Sequence, residues 1–245
     1  MPDNPLLHFR YVYVFEDGVH KEFEACIDEN SISLITPERS EFPAWAALSC
    51  SRCPNCPLDE TRHVHCPVAV ALIDVVDFCA DRISYQKVHA TVTTRNRTFV
   101  RDTTLQIALS SLIGICMATA GCPVMDRLKP MARFHLPFAD EEETMFRAMS
   151  AYLLGQYFIM KGGGQPDWDL KNLAGMYDEI KAVNSSFCSR LRTVIRKDSN
   201  VNAVIGLDCF ADAVIFSINQ RFMDQLELLY QAYVKQAEID TLQDR

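Results

Sequence analysis

Alternating apolar and polar side chains run into Asp17-Gly18 and resume after it: "LHFRYVYVFEDGVHKEFEACI". No other stretch limits the fold so strongly. A period of two sends successive side chains to opposite faces of a strand. Asp-Gly is a strong hairpin turn signal. The aromatic-rich runs on either side therefore read as a β-hairpin, and "SISLIT" adds a short third strand before Pro37. "YQKVHATVTTRNRTFVRDT" returns to alternation with a turn near Asn96, a second hairpin. Between the two, Val68, Leu72, Val75, Val76, Cys79 and Ile83 fall at helical spacing, with Pro67 suited to the first helical position. The front half reads as an antiparallel sheet with one helix against it.

After Thr103 the period lengthens. Leu105, Leu109, Leu112 and Cys116 mark a helix that ends near Gly121. "PVMDRLKPMARF" reads as a short helix stopped by Pro130. "DEEETMFRAMSAYLLGQYFIMK" opens with acidic residues, which suit a positive helix start, and carries Met145, Met149 and Leu153 on one face. Gly162-Gly163-Gly164 then breaks the chain; it lacks the Lys-Ser/Thr ending of a phosphate loop and serves as a connector. Two longer helices are expected over 168–197 and 202–236, with Trp168 anchoring the start of the first. On the second, Phe216, Asn219, Met223, Leu226, Tyr230, Tyr233 and Ala237 form a heptad-like seam. Packing within a bundle is the preferred use of this seam, and a homodimer contact the other. The predicted architecture is α+β: residues 1–102 β-rich with a cysteine loop and one helix, residues 103–245 a helical bundle, packed as one unit.

With 24 basic and 32 acidic side chains the formal charge is −8. That lacks the positive field a general nucleic-acid or anionic-membrane binder needs. The start "MPDNPLLHFRYVYVFEDG" lacks a secretory pattern, and no stretch approaches the roughly 20 apolar residues of a membrane span. A cytoplasmic location is expected, where reducing conditions disfavour disulfides and clustered cysteines point to metal ligation or catalysis.

Such a cluster is present in "LSCSRCPNCPLDETRHVHCPVAV". Cys50, Cys53 and Cys56 repeat at three-residue steps, and Cys66 follows ten residues later. A C-x2-C bend lets two sulfurs converge on one ion, and the loop to Cys66 is long enough to bring a fourth donor round. Zinc takes four such ligands in a tetrahedron, and His63 and His65 offer nitrogen alternatives. Cys53, Cys56 and Cys66, each followed by proline, are the firmest ligands, with Cys50 preferred over His65 as the fourth. Cys66 precedes Pro67 at an expected helix N-cap, where exposed N–H groups favour the thiolate. A 4Fe–4S cluster is the competing reading, although ferredoxin-like spacing would bring the fourth cysteine closer. Reduced thiols without metal are the third.

The local device recurs in "AGCPVMDRLKPMARFHLPF". Cys122 precedes Pro123, Asp126 lies one turn on, and His135 lies past Pro130. A thiol beside an imidazole is how cysteine nucleophiles are activated; a buried cysteine and an unrelated histidine are the plainer reading. Cys26, Cys79, Cys116, Cys188 and Cys209 sit among apolar neighbours and are expected to behave as small hydrophobes. Arg95, Arg97 and Arg101 read as a solvated hairpin tip.

With "GCPVMDRLKPMARFHLPF" and "CPNCPL…HCPVAV", the chain resembles a family of uncharacterised bacterial proteins in which similar segments recur. The resemblance covers most of the chain after the first strands, implies no activity, and marks Cys53, Cys56, Cys66, Cys122 and His135 as matching positions. The functional expectation is a cytoplasmic zinc-stabilised binding or regulatory protein without catalysis of its own. The alternative is a redox protein or enzyme using a 4Fe–4S cluster at the Cys50 to Cys66 loop, or a reactive thiol at Cys122.

Overall fold

In the computed structural model the described residues are 5–194, 202, 211 and 220–243. The first hairpin pairs β1 (Leu6–Phe15) with β2 (His20–Asp28), Tyr11 standing opposite Phe23. Gly18 takes φ +81°, the conformation for which Asp-Gly is suited. The third strand, β3 (Ser33–Leu34), is short, and β4 (Lys87–Thr93) and β5 (Thr98–Thr104) form the second hairpin. The sheet runs β3-β2-β1-β4-β5 with every neighbouring pair antiparallel. Alternation puts Phe9, Tyr11, Tyr13 and Phe15 on the buried face, beside Ala25 and Ile27 of β2 and Ala90 and Val92 of β4. The other face carries the Arg10–Glu22 ion pair and a His89–Asp102 hydrogen bond.

Against the buried face lies α3 (Leu105–Thr119), which is apolar nearly all round, as a helix packed on several sides must be. The Tyr13 hydroxyl donates to the Ala108 carbonyl at 3.0 Å, tying sheet to helix. Leu105, Leu109, Leu112 and Met117 are essentially inaccessible; burying each such side chain is worth about 1.5–3 kcal/mol. One continuous core joins the sheet to α1 (Pro67–Ala71), α2 (Ile73–Cys79), α3, α4 (Lys129–Arg133), α5 (Glu141–Lys161) and α6 (Leu173–Leu191). The last helix spans Gln220–Gln243. Among the described residues no helix is long and apolar enough to cross a membrane.

Three boundaries depart from expectation. The helix expected from Val68 to Ile83 is two, α1 and α2, because Leu72 donates back to the Ala69 carbonyl and tightens the chain there. Pro130 ends nothing: a 3-10 turn (Met125–Leu128) precedes it, and proline occupies the first turn of α4, where its missing N–H costs no bond. The helix expected from Trp168 starts at Leu173. The Asp167 carboxylate accepts from the N–H groups of Lys171 and Asn172, at 3.1 and 2.7 Å, and holds this entry short of a helix. Trp168 itself is half-exposed, so Asp167 and the buried Leu170 do the anchoring. Helix α5 opens on a full capping box between Asp140 and Glu143, and Gly163 at φ +84° closes it. Phe216, Asn219 and Cys209 lie outside the described residues.

Candidate functional site

The cysteine loop is built from both ends. The Leu48 N–H donates to the Val64 carbonyl and the Cys66 N–H to that of Ala46, each at 2.9 Å, so the loop leaves and returns side by side. Inside it, the Cys56 N–H reaches the Cys53 carbonyl at 3.1 Å. Pro54 sits at the second position of this turn, where its fixed φ is already correct. Arg52 braces the bend, donating to the Leu58 carbonyl at 2.7 Å and to Glu60 at 2.8 Å. Helix α6 closes over the loop. Asn55 donates its amide to the Glu179 carbonyl at 2.9 Å, and the buried Arg190 donates to the carbonyls of Trp45 and Ala47.

This packing brings together thiols from three chain segments. The Cys53 thiol is raised above its ordinary value chiefly by burial; a hydrogen bond from Ser186 on α6 opposes that, and the neighbouring thiols of Cys66, Cys122 and Cys56 add to it. Burial also raises Cys122, against hydrogen bonds from the backbone N–H groups of Met125 and Val124, with Cys66 and Cys56 again adding. Cys53 and Cys122 are therefore each within electrostatic reach of Cys56 and Cys66, and all four precede a proline. Among the described residues no three His, Cys, Asp or Glu side chains stand in an arrangement that would hold a metal ion directly.

The remaining sequence candidates are distributed as follows. Cys50 is half-buried against the core, its N–H on the Ala47 carbonyl at 3.1 Å. His63 is exposed, and the His65 ring stacks on Phe42 with centroids 4.2 Å apart. Cys66 does precede the first turn of α1, but its side chain makes no capping bond and α1 has only five residues, too few for a strong dipole. Asp126 pairs with Lys129 at 3.2 Å. Cys79, Cys116 and Cys188 are buried, while Cys26 is half-buried with its thiol 3.4 Å from His8. Of the hairpin tip, Arg101 donates to the Phe138 carbonyl at 3.1 Å.

Cys122 and His135 engage different partners. His135 Nε2 lies 2.7 Å from the Tyr11 hydroxyl and 3.4 Å from Ser111 Oγ. Burial, helped by the Arg147 charge, pulls the imidazole pKa down to about 3. So weak a base activates neither a thiol nor a hydroxyl near neutral pH. His135 lines a cavity of about 370 Å³ between α3, α4, α5 and α6. Arg147 faces that cavity and donates to the carbonyls of Met131 and Phe134, at 2.8 and 2.9 Å.

Arg190 and Arg147 are absent from the sequence-based candidates. Arg190 had a readable signal, since it falls at helical spacing from Val183 and Phe187 on the apolar stripe of α6. Arg147 had none, because its partners are backbone carbonyls.

Fold and site together define an α+β protein whose five-stranded antiparallel sheet is backed by helices, with a thiol cluster held between its loop and helical parts. Residues 9–231 match the family described as Domain of unknown function (DUF6901), and the chain belongs to that family. No curated protein and no solved structure matches it significantly.

Proposed function

We propose that the protein is a cytoplasmic, zinc-stabilised binding protein without catalysis of its own, in which Cys53, Cys56, Cys66 and Cys122 hold one ion. The observation that carries this reading is the convergence of the four Cys-Pro thiols from separate segments. A change of χ1 between staggered wells moves a cysteine sulfur by about 3 Å, enough for neighbouring thiols to close on a cation. Zinc accepts four thiolates, and binding it would displace their protons and add its free energy to folding. The Val124 and Met125 N–H groups and the Ser186 hydroxyl are placed to stabilise sulfur charge. The weak basicity of His135 supports binding over acid–base chemistry. Met223, Tyr230 and Tyr233 of the seam on the last helix are exposed, which supports a homodimer contact there.

Elemental analysis and native mass spectrometry of anaerobically purified chain test the metal. About one zinc per chain, lost in Cys53→Ser and Cys122→Ser but kept in Cys50→Ser, is the expected result. A folded, metal-free chain indifferent to chelators overturns it, and a brown protein absorbing near ~400 nm replaces zinc with the 4Fe–4S alternative. Light scattering reads the dimer, and a monomer at all concentrations removes that part.

A further inference from the structure

The cavity beside His135 has features that neither the fold nor the thiol cluster uses. Its volume of about 370 Å³ lies in the range of small-ligand sites. Its walls are mostly apolar, with Ile107, Ile115, Met125, Leu128, Met131 and Ile180 prominent. Two polar groups stand out against them. Asn184, on α6, is 2 % exposed, lines the cavity, and has a side-chain carbonyl oxygen with no hydrogen-bond partner. A buried acceptor in that state costs free energy unless a donor reaches it. Arg147 faces the same space, and among the described residues its guanidinium makes no ion pair. Its bonds to two peptide carbonyls hold it in place without neutralising it.

A cation fixed against apolar walls favours an anion that shares the same dry space. The acidic groups near Arg147 are otherwise engaged or outside: Asp140 and Glu143, the carboxylate whose charge reaches Arg147 through space, share the cap of α5, and Glu141 is exposed at the rim, where Arg101 also stands. The rim also contains Phe138, a non-glycine residue at φ +61° whose carbonyl is held by Arg101. Such backbone strain tends to persist where surrounding contacts over-determine a segment.

We propose that this cavity binds a small carboxylate with an apolar body, its head on Arg147 and an N–H or O–H group of its body on Asn184. The apolar walls supply affinity through burial, while the two polar groups fix orientation. The site stands apart from the thiol cluster, and it does not require the metal to be zinc or to be present.

Calorimetric titration and thermal shift with full-length chain, in its purified metal state, test the proposal. The probes are indole-3-acetate, which has carboxylate, apolar ring and N–H; indole-3-acetamide, which lacks the charge; and naphthalene-1-acetate and octanoate, which lack the donor. Expected are saturable binding of indole-3-acetate at one site per chain and at least about tenfold weaker binding of the amide. Arg147→Met should weaken all three acids by a similar factor. That variant loses two backbone contacts, so Asn184→Leu provides a second arm. It removes an unpartnered polar atom, should fold at least as stably, and should abolish the preference for indole-3-acetate over naphthalene-1-acetate. Failure of all three acids to bind at millimolar concentration overturns the proposal. So does equal binding of acid and amide, or an unchanged preference in a folded Asn184→Leu chain.

Discussion

Arg190→Met should be among the most damaging single changes in the helical half. Arg190 is 2 % exposed and spans from α6 to the start of the cysteine loop, donating through one nitrogen to the carbonyls of Trp45 and Ala47, the latter at 2.6 Å. Methionine keeps an apolar stem of similar length but offers no donor. The Trp45 carbonyl left without this charged donor costs about 1–3 kcal/mol, and the Ala47 carbonyl, which keeps the Cys50 N–H, costs less. Relief of the guanidinium's own desolvation offsets part of that sum. The net loss should be about 2–4 kcal/mol, or roughly 4–16 °C in Tm for a chain of this size. Arg190→Lys, which keeps one charge but not the fork, should lose about half as much. Urea unfolding followed by tryptophan fluorescence gives the magnitude. Amide exchange at Leu48 and Cys66, whose N–H groups close the loop, gives the location. A stability within about 0.5 kcal/mol of the parent, typical of an ordinary surface change, together with unchanged exchange at those amides, would refute the anchoring role.

His135 sets an acid limit. Its folded pKa of about 3 lies far below the ordinary 6.5, so between these values the unfolded chain binds the extra proton. Stability therefore rises with pH through that window and is lost on acidification, at up to about 1.4 kcal/mol per pH unit. His135→Gln should flatten the urea midpoint against pH between about pH 6 and 4, and an unchanged slope would remove burial of the neutral imidazole as the cause. Cys79 and Cys116, each pushed up to about 12 by burial, should stay unmodified by iodoacetamide at neutral pH until the core opens. Labelling of either in folded protein, read by peptide mass spectrometry, would contradict that.

The fold was most legible where one periodicity acted alone. In β1, alternation separates Tyr11 and Tyr13 from Arg10 and Val12, and only one register hides the aromatics. The start of α5 was legible through its acidic first turn, because capping is a local device. Boundaries set by side chains reaching across turns were not legible. Asp167 delays α6 by bonding residues four and five positions on, and no local propensity encodes that. Pro130 misled because proline is equally at home just after one helix and just inside the next.

The thiol cluster shows where reading by spacing stops. Within one loop, spacing favours Cys50 beside Cys53 and Cys56, since ligands close in sequence are easiest to converge. Packing adds Cys122, which follows α3 and so belongs to a segment that sequence cannot place against the loop. The shared feature was chemical rather than positional: the four gathered cysteines each precede proline, and Cys50 precedes Ser51. A proline after the thiol removes one competing N–H and restricts the preceding backbone to extended conformations. It leaves the N–H groups further on free to point at sulfur, as those of Val124 and Met125 do at Cys122. The same 3-10 turn then sends the Met125 side chain into the cavity wall. Helix α6 repeats that arrangement, with Ser186 on the Cys53 thiol and Asn184, two residues earlier, on the cavity. Two elements thus border both sites, the 3-10 turn through Met125 and α6 through Asn184 and Ser186.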